Sequence, residues 1–402
     1  HEPLGLALQN GDLYTVQRTE LTRLRDIDGD GRADEYLTHA KGWGVTGNYH
    51  EYAYGPAIDQ EGNMWVALNC SIGKGSNPNN QWRGWSLRVK PDGSWSPMSG
   101  GFRSPSGIGT NLVGDVFATD QQGNWYATCA LMHLKKGVFH GHADALQFTK
   151  LPGSTFEVKQ PLPKNLTVAE AAKRIPAYHL PAVWFPYRKV GMSTTDILAD
   201  GTQGMFGPFH GQLFCGEFTM SFVSRVFLEK IEGEYQGACF RFRDGLDCAA
   251  LRLEWGLNGS MYIGQSNRGW NSLGTKSYSL QRLQWKGKVP FEIKTMSARP
   301  DGFTLTFTRP VNLKTATDIK SYMLSSYTYP YHSKYGGKET DLIKLKIKSI
   351  TLNADKQSVH LKLNNLRAGY VHELHADGVR DSTGEPLVHK AAYYTLNKIP
   401  KK

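Results

Sequence analysis

The sequence lacks a long hydrophobic run and any cysteine pattern typical of a metal or redox motif. No stretch of the 402 residues approaches the ~20 apolar residues that a membrane-spanning helix needs. The five cysteines form no CxxC pair, no zinc-ligand spacing and no haem-attachment motif. Cys239 and Cys248 could face each other across a hairpin or stay as buried thiols, and we favour buried thiols. The sequence therefore predicts no membrane-spanning helix and no cysteine-based zinc or haem site.

The N-terminus also lacks a charged segment followed by an apolar one, which would be typical of a signal peptide. His1 stands where an initiator methionine would be expected. We therefore expect that processing or trimming has removed a segment upstream. Cysteine content does not decide the cellular compartment.

Positive charge is abundant and unevenly placed. The formal net charge is +11, and from Pro290 onward 18 Lys and Arg stand against 10 Asp and Glu, which puts +8 in the last quarter. A basic surface can attract nucleic acid, anionic polysaccharide or envelope components. No segment resembles a nucleic-acid-binding module. We predict no nucleic-acid partner, and the basic region is either a solvated face or a docking surface for an anionic polysaccharide.

The composition, with 43 glycines and 11% aromatic residues, favours short strands joined by turns. One pattern recurs, in which a turn glycine and a polar residue precede apolar and aromatic residues suited to a buried strand. Its copies are GDLYTV from Gly11, GNMWVA from Gly62, GDVFAT from Gly114, GQLFCG from Gly211 and GSMYIG from Gly259. Units of ~50 residues are typical of propeller blades. The sequence thus predicts an all-β fold, a β-propeller with five visible blades and six in the full protein.

The long step between Gly114 and Gly211 is predicted to hold an insertion of about residues 152–180. There, LTVAEAAKRI contains a capping box made by Thr167 and Glu170 ahead of a short helix. After residue 289 the pattern changes, because DGFTLTFTRPVN, LIKLKIKSITL and QSVHLKLNNL alternate apolar and polar residues. This alternation predicts a C-terminal β-sandwich of the immunoglobulin or fibronectin kind. The predicted domains are a propeller over 1–289 and a basic sandwich over 290–402.

The segment DIDGDGRADE predicts a structural calcium-binding loop. Carboxylates at alternate positions converge on a hard cation, and Gly31 allows the sharp turn. Leu37 stands where an EF-hand has its bidentate glutamate, so the shell would have to be completed nearby. The alternative is an acidic, solvated turn. The candidate site residues are Asp26, Asp28, Asp30, Arg32 and Asp34.

Three further residues are predicted to meet on the propeller axis, at the ends of the innermost strands. His50 precedes the strand of GNMWVA, Arg103 precedes that of GDVFAT, and Arg268 follows that of GSMYIG. A base and two cations in one funnel would suit an anionic cofactor or an oxidised sugar. Singly, each arginine could equally form a salt bridge on the surface or between blades.

A histidine group offers a second centre. His133 lies in GNWYATCALMHL, His140 and His142 follow it, and with His50 they could bind a transition metal through their imidazoles. The alternative is that these histidines only line a polar loop. Candidate substrate-pocket residues, which combine amides, indoles and imidazoles suited to a sugar, are Gln122, Asn124, Trp125, His133, His142 and Trp270.

Several segments carry a family resemblance. GNYHEYAYGPAIDQEGNMWVALN, FRSPSGIGTNLVGDVFATDQQGNWYAT and NGSMYIGQSNRGW resemble the glucose/sorbosone dehydrogenase family, six-bladed propellers that use pyrroloquinoline quinone (PQQ). HEPLGLAL, LTRLRDIDGDGRADE, FGPFHGQLF and YQGACFRF are similar to a branch of secreted bacterial proteins labelled membrane-bound or sorbosone-type dehydrogenases. The resemblance spans most of residues 1 to 310 and implies a periplasmic or secreted protein.

The resemblance implies roles for particular residues. His50 takes the place of the catalytic base that removes a sugar hydroxyl proton. Beside such a base, Glu51 would orient the imidazole ring; the alternative is that His50 and Glu51 only cap the entry to the strand. Arg103 takes the place of an arginine that pairs with the quinone, and Gln122 stands with the cofactor-binding residues. Arg268 is a looser match for a second cofactor-binding arginine, and Arg252 competes for that role.

Two positions depart from the family pattern. The cofactor-binding lysine has no counterpart, since GQLFCGEFTMSF offers Glu217 instead. The aspartate expected just before the base is Tyr49.

Three functions are compatible with these features. The first is a quinoprotein-like sugar dehydrogenase with His50 as base and an electron-accepting cytochrome as partner. The second is a metal-dependent carbohydrate lyase or hydrolase that uses the histidine group. The third is a non-catalytic carbohydrate-binding propeller. We favour the first because of the family resemblance; a propeller fold hosts all three.

Overall fold

Short antiparallel strands dominate the computed structural model, which describes residues 2–73, 77 and 79–401. The described residues contain thirty strands and four short helices. The helices are α1 (Val168–Arg174), α2 (Leu313–Ala316) and the 3₁₀ helices Ala143–Phe148 and Ile319–Ser321. Among these residues, no helix has the length and apolar character that crossing a membrane requires.

The first three sheets each contain four antiparallel strands that follow one another along the sheet. The first contains β1 (Leu6–Gln9), β2 (Asp12–Val16), β3 (Glu20–Arg25) and β4 (Glu35–Lys41). The second contains β5 (Ala53–Ile58), β6 (Met64–Leu68), β7 (Trp85–Val89) and β8 (Trp95–Gly100), with β12 (Val138–Phe139) parallel to β8. The third contains β9 (Gly107–Thr110), β10 (Val116–Asp120), β11 (Cys129–His133) and β14 (Val183–Phe185).

Two more sheets continue this series. The fourth begins with β15 (Thr194–Ala199), β16 (Leu213–Glu217), β17 (Phe222–Ile231) and β18 (Glu234–Arg243). The fifth contains β19 (Ala250–Trp255), β20 (Met261–Ser266) and β21 (Tyr278–Leu283). The first strands of successive sheets pack against one another, β5 on β9, β9 on β15 and β15 on β19. This mostly-β arrangement is consistent with a β-propeller.

The recurring glycines form the turns between the first and second strands of these sheets. Each needs a positive φ, which a residue with a Cβ rarely adopts. The φ values are +85° at Gly11, +78° at Gly62, +78° at Gly114, +84° at Gly211 and +70° at Gly259. The predicted recurrence therefore corresponds to one repeated hairpin.

The C-terminal region adds a second layer of strands. One sheet has the order β22 (Ile293–Arg299), β23 (Gly302–Phe307), β28 (Ser358–Leu363), β27 (Ile347–Leu352). Opposite it lie β30 (Ala391–Leu396), β29 (Tyr370–His375), β24 (Met323–Thr328) and β26 (Thr340–Leu345), and β30 pairs with β18. Both layers contribute to one buried cluster that includes Phe303, Leu361 and Tyr394. The fourth propeller-like sheet therefore continues into the C-terminal region.

The segment before the fourth sheet also contacts the C-terminal region. β13 (Leu166–Thr167) pairs with β25 (Pro330–Tyr331), and α1 follows directly. The Thr167 hydroxyl accepts the N–H of Glu170 while the Glu170 carboxylate accepts that of Thr167, which is the capping box predicted from the sequence. All five cysteines are free and buried, so the preference for buried thiols is confirmed.

A buried arginine holds the start of the second sheet. Arg83 is only 1% exposed and donates to four backbone carbonyls, those of Arg18, Gly44, Glu51 and Tyr52, at 2.7 to 2.8 Å. Burial lowers its pKa to about 10, so the guanidinium stays charged at neutral pH. These bonds replace the ladder partners that irregular backbone lacks.

We expect Arg83→Met to lower the free energy of unfolding by about 3 kcal/mol or more, because the carbonyls would be left buried without donors. Urea denaturation at neutral pH measures this change. The matched control is Arg282→Met on β21, an exposed position where a change within about 0.5 kcal/mol is expected. Equal effects of the two substitutions would contradict this role for Arg83.

Candidate functional site

Most of the predicted functional residues lie at one edge of the propeller-like sheets. The first two strands of each sheet are antiparallel, so the residues before the first strand and those after the second share an edge. We call this the upper edge. His50 and Arg103 precede β5 and β9 there, Asp120 ends β10, and Arg18 and Arg268 follow β2 and β20.

His50 is exposed at the upper edge next to Tyr49. The two rings are edge-to-face, with centroids 5.4 Å apart. The His50 backbone N–H donates to Asn48 Oδ1 at 2.9 Å. Partial burial, followed by the charges of Arg103 and Arg18, lowers the pKa of His50. The imidazole is therefore neutral at neutral pH and able to accept a proton.

Glu51 is fully buried and anchors the loop that carries His50. Its carboxylate accepts the Thr46 N–H and hydroxyl, both at 2.7 Å, and the Ser71 hydroxyl at 2.6 Å. Although burial opposes ionisation, these donors and Arg83 hold the pKa of Glu51 below its ordinary value. The side chain is thus a charged acceptor inside the loop.

Arg18 ties the same loop from the first sheet. It donates to the Asn48 carbonyl at 3.0 Å and to the Tyr49 carbonyl at 2.8 Å, and it pairs with Glu2. Its guanidinium lies 4.6 Å from the centroid of the Tyr52 ring. Arg18 therefore holds the backbone before His50, and Arg83 holds the backbone after it at Glu51 and Tyr52.

Arg103 is a cation at the upper edge with donor capacity to spare. Its Nη1 donates to the Gln122 carbonyl at 3.3 Å, and its guanidinium lies 5.2 Å from the Tyr335 ring centroid. Its Nε is buried and has no hydrogen-bond partner among the described residues. The Arg103 backbone N–H donates to the Asp120 carboxylate at 2.8 Å, which positions the side chain.

Three side-chain acceptors at equivalent positions hold loops of the upper edge, and they were not predicted from the sequence. Asp120, Glu217 and Gln265 each stand six residues after a turn glycine of the recurring pattern. Asp120 accepts the N–H groups of Arg103 and Ser104, each at 2.8 Å. Burial raises the pKa of Asp120 to about 6. The shared six-residue spacing after the turn glycine is the sequence feature that could have predicted these acceptors.

Glu217 and Gln265 perform the same task in the fourth and fifth sheets. Glu217 accepts the N–H groups of Met192, Ser193 and Met220, and burial raises its pKa to about 7. Gln265 Oε1 accepts the N–H of Cys248 at 2.9 Å. Glu217 is therefore an enclosed acceptor that holds the loops before β15 and after β16.

The two arginines near the fifth sheet differ in their contacts. Arg252 donates to the carbonyls of Leu4, Ser106 and Leu251, at 2.6, 3.4 and 2.7 Å, so it joins the N-terminal segment to the third and fifth sheets. Arg268 is exposed. Trp270 is 67% exposed, and the two flank Gly269, which lies against Tyr49.

The predicted pocket residues Gln122, Asn124 and Trp125 contact the C-terminal region. Gln122 donates to the Ala127 carbonyl at 2.8 Å, and Asn124 donates to the Ser333 carbonyl at 2.9 Å. The Trp125 N–H donates to the His332 carbonyl, and its ring lies 5.0 Å from that of Tyr331. These residues hold the 332–337 loop, which carries Tyr335 over Arg103.

The structure does not bring the four candidate histidines together. His133 lies between Phe117 and Tyr235 with Nε2 3.8 Å from Asp115, and burial lowers its pKa to about 4. His140 is buried against Phe102. Within the described residues, the two groups with metal-ligand geometry contain neither of them, nor His50.

His142 instead stands with two residues that the sequence analysis did not select. Ligand atoms of Cys70, His142 and Asp144 all lie within 4.8 Å of one another. Burial raises the pKa of the Cys70 thiol well above its ordinary value and lowers that of His142 to about 3. No sequence spacing joins Cys70 to the other two; only the fold does.

The acidic loop forms the turn between β3 and β4. Ligand atoms of Asp26, Asp28 and Asp34 lie within 4.8 Å of one another and are exposed. Asp26 accepts the N–H groups of Gly29 and Gly31, both at 2.8 Å. The carboxylate of Asp30 instead accepts the Arg32 N–H at 2.8 Å. Three of the predicted positions thus converge.

The family model for a domain of unknown function, DUF7133, matches residues 2–238. This match covers more than half of the 402 residues, and the chain therefore belongs to that family. No curated protein matches the chain.

Solved structures with similar folds include three sugar dehydrogenases. An oxidoreductase described as a glucose dehydrogenase from Thermus thermophilus is 17% identical, with a TM-score of 0.48 over 69% of this chain and 82% of that one. The pyranose dehydrogenase PQQ domain from Coprinopsis cinerea is 10% identical, with a TM-score of 0.47 and coverages of 70% and 81%. The PQQ-bound aldose sugar dehydrogenase from Streptomyces coelicolor is 15% identical, with a TM-score of 0.37 and coverages of 71% and 94%.

These likenesses agree with the resemblance predicted from the sequence, which is confirmed as a likeness to glucose and aldose dehydrogenases. At such identities and TM-scores they carry no argument about the reaction.

We expect Glu217→Gln to flatten the dependence of stability on pH. Because burial raises the pKa of Glu217 from 4.5 to about 7, its contribution to folding is full below pH 4.5 and is lost as the pH rises through 7. The loss is on the order of 3 kcal/mol in the free energy of unfolding. Urea denaturation between pH 4.5 and 8 measures it for both proteins.

The control for this comparison is Glu157→Gln, at an exposed position, which should follow the parent at every pH. The amide in Glu217→Gln has one acceptor oxygen fewer than the carboxylate, so the stability of this variant can differ from that of the parent at every pH. The quantity compared is therefore the slope of the free energy of unfolding against pH. Parallel slopes for Glu217→Gln and the parent protein would refute this account of Glu217.

Proposed function

We propose that this protein oxidises a sugar or sugar derivative at the upper edge, with His50 as the general base. The observation that carries the proposal is the exposed imidazole of His50 at the upper edge, whose pKa is lowered first by partial burial and then by the charges of Arg103 and Arg18. A neutral imidazole is the form that accepts a hydroxyl proton. The family resemblance predicted from the sequence supports the same assignment.

In this proposal His50 takes the proton of a sugar hydroxyl while the carbon beneath it loses a hydride, so that a carbonyl forms. PQQ, when bound, supplies the hydride acceptor. The residues of this chain position the base and the sugar. Asn48 and Arg18 fix the backbone around His50, and the rings of Tyr49 and Trp270, both exposed, offer apolar faces to a sugar ring.

The residues present fit an anionic, planar cofactor at Arg103. Its buried Nε has no partner within the described part of the chain, and the exposed Tyr335 ring covers its guanidinium. A carboxylate or quinone oxygen would bind at the Nη atoms of this guanidinium, because the buried Nε packs against Gly123. Arg268 is exposed and offers a second cation, whereas Arg252 already donates to three carbonyls. We therefore assign cofactor binding to Arg103, with Gln122 supporting it and Arg268 as its partner.

We expect His50→Gln to lower kcat/KM for aldose oxidation by about 10²- to 10⁴-fold, the usual contribution of a general base, without reducing PQQ uptake. Arg103→Met should abolish that uptake. Absorption spectra with added PQQ and calcium measure the binding, and dye-linked oxidation of aldoses measures the activity. The matched control is His210→Gln, an exposed histidine at the opposite edge of the sheets.

Failure of the parent protein to take up PQQ would refute the quinoprotein proposal. Sugar binding that survives in His50→Gln, without any oxidation by the parent, would identify a non-catalytic carbohydrate-binding protein. Oxidation that is equally fast in the parent and in His50→Gln would exclude His50 as the base.

We further propose that the acidic loop binds calcium in a structural role. Asp26, Asp28 and Asp34 converge within 4.8 Å and are exposed, and oxygen donors are what Ca²⁺ requires. The mutual repulsion of three carboxylates is relieved when a cation binds. The loop joins β3 to β4, so calcium would stabilise the outer part of the first sheet.

We expect calcium at about 100 times its Kd to raise the free energy of unfolding of chelator-treated protein by about 2.7 kcal/mol. Asp28→Asn should remove most of this gain, since it deletes a ligand charge. Asp92→Asn, in the exposed hairpin between β7 and β8, is the control and should keep it. Thermal unfolding with and without calcium distinguishes the cases, and an unchanged midpoint in the parent would rule the site out.

The wider assignments are also proposals. We propose that residues 1–289 form a β-propeller and that 290–402 form an immunoglobulin- or fibronectin-like domain. The exposed lysines Lys344, Lys346 and Lys348 on and between β26 and β27 would bind an anionic polysaccharide. A periplasmic or secreted location and an electron-accepting cytochrome follow from the proposed oxidation.

A further inference from the structure

A group of three different metal-binding side chains lies beside the loop that carries Arg103. Cys70 follows β6, whereas His142 and Asp144 stand at the start of the 3₁₀ helix Ala143–Phe148. One ligand atom from each lies within 4.8 Å of the other two. The group belongs to neither of the centres described above, because it shares only His142 with the predicted histidine group.

The backbone holds the two softer ligands in place. The Cys70 N–H donates to the Arg103 carbonyl at 3.0 Å, and the His142 N–H donates to the Gly101 carbonyl at 3.0 Å. Two segments distant in sequence are thus attached to one short loop. Their side chains are brought together without depending on a ligand, which is the preorganisation that a metal site needs.

Two of the three ligands are buried, and the third is partly exposed to solvent. Cys70 is 1% and His142 4% exposed, while the side chain of Asp144 is 45% exposed. The thiol and imidazole are therefore enclosed, and the carboxylate faces solvent. A metal ion could enter on the side of Asp144 and would keep a position open there.

We propose that Cys70, His142 and Asp144 bind a divalent transition-metal ion, with Zn²⁺ as the expected occupant. Sulfur, nitrogen and oxygen donors together suit zinc, whereas calcium and magnesium take oxygen ligands. A thiolate and a carboxylate balance the charge of the ion. Three protein ligands and one open position are typical of catalytic zinc sites, which hold water or substrate in the fourth place.

The distances allow this binding with small movements. Zinc bonds of about 2.0 to 2.3 Å in a tetrahedron place donor atoms roughly 3.5 Å apart. His142 Nδ1 and Asp144 Oδ2 are 4.0 Å apart. Nδ1 also accepts the Asp144 N–H at 3.4 Å, so metal binding through Nδ1 would replace this long bond, and rotation of the exposed carboxylate would close the remaining distance. Arg103 lies nearby and its charge opposes a cation, but the two ligand charges outweigh it. The ion would stand next to the arginine assigned to the cofactor.

The test is titration of the chelator-treated full chain with Co²⁺, followed by competition with Zn²⁺. A thiolate–cobalt charge-transfer band that saturates at one ion per chain and disappears when zinc is added is the expected result. Cys70→Ala should remove the band. Asp144→Asn, at an exposed position, should weaken cobalt binding by at least the roughly 10- to 100-fold that loss of a supporting residue costs.

Cys215→Ala, which removes a buried thiol of β16 outside the group, is the matched control and should keep the band. Cobalt bound without a thiolate band would place the ion at ligands other than Cys70 and overturn the proposal. An unchanged band in Cys70→Ala would overturn it too. If Cys70→Ala does not fold, unaltered cobalt affinity in Asp144→Asn overturns it.

Discussion

Side chains that bond to loop backbone hold the upper edge of this fold together. Strand ladders satisfy the amides of the sheets, but the loops between sheets have no such partners, and a buried unpaired group costs about 1–3 kcal/mol. Arg83, Arg18 and Arg252 supply donors to carbonyls there. Asp120 and Glu217 supply acceptors to N–H groups. The positions of His50 and Arg103 depend on these bonds.

This constraint also decides which charges are available for function. Arg252 resembles a ligand-binding arginine in sequence, yet its donors are used by carbonyls of three segments. Arg103 keeps a buried Nε without a partner in the described structure, and its own loop is held through its backbone by Asp120. An arginine whose loop is fixed by another group is free to bind a ligand.

The C-terminal region belongs to the same edge. Its 332–337 loop takes bonds from Asn124 and Trp125 and brings Tyr335 over Arg103. Residues that look like pocket lining in sequence therefore attach the C-terminal region to the propeller-like sheets. If sugar oxidation occurs here, as proposed, access to Arg103 depends on both parts of the chain.

The sequence by itself determined the repeated hairpins, because Gly11, Gly62 and their counterparts need a positive φ that glycine alone adopts readily. It also determined the capping box at Thr167 and the acidic turn at Asp26, since both depend on neighbours along the chain. Only the tertiary structure decided that His133 and His140 lie apart from His50, and that Cys70 meets His142 and Asp144. Such contacts join segments that lie far apart in the chain, and spacing along the chain carries no information about them.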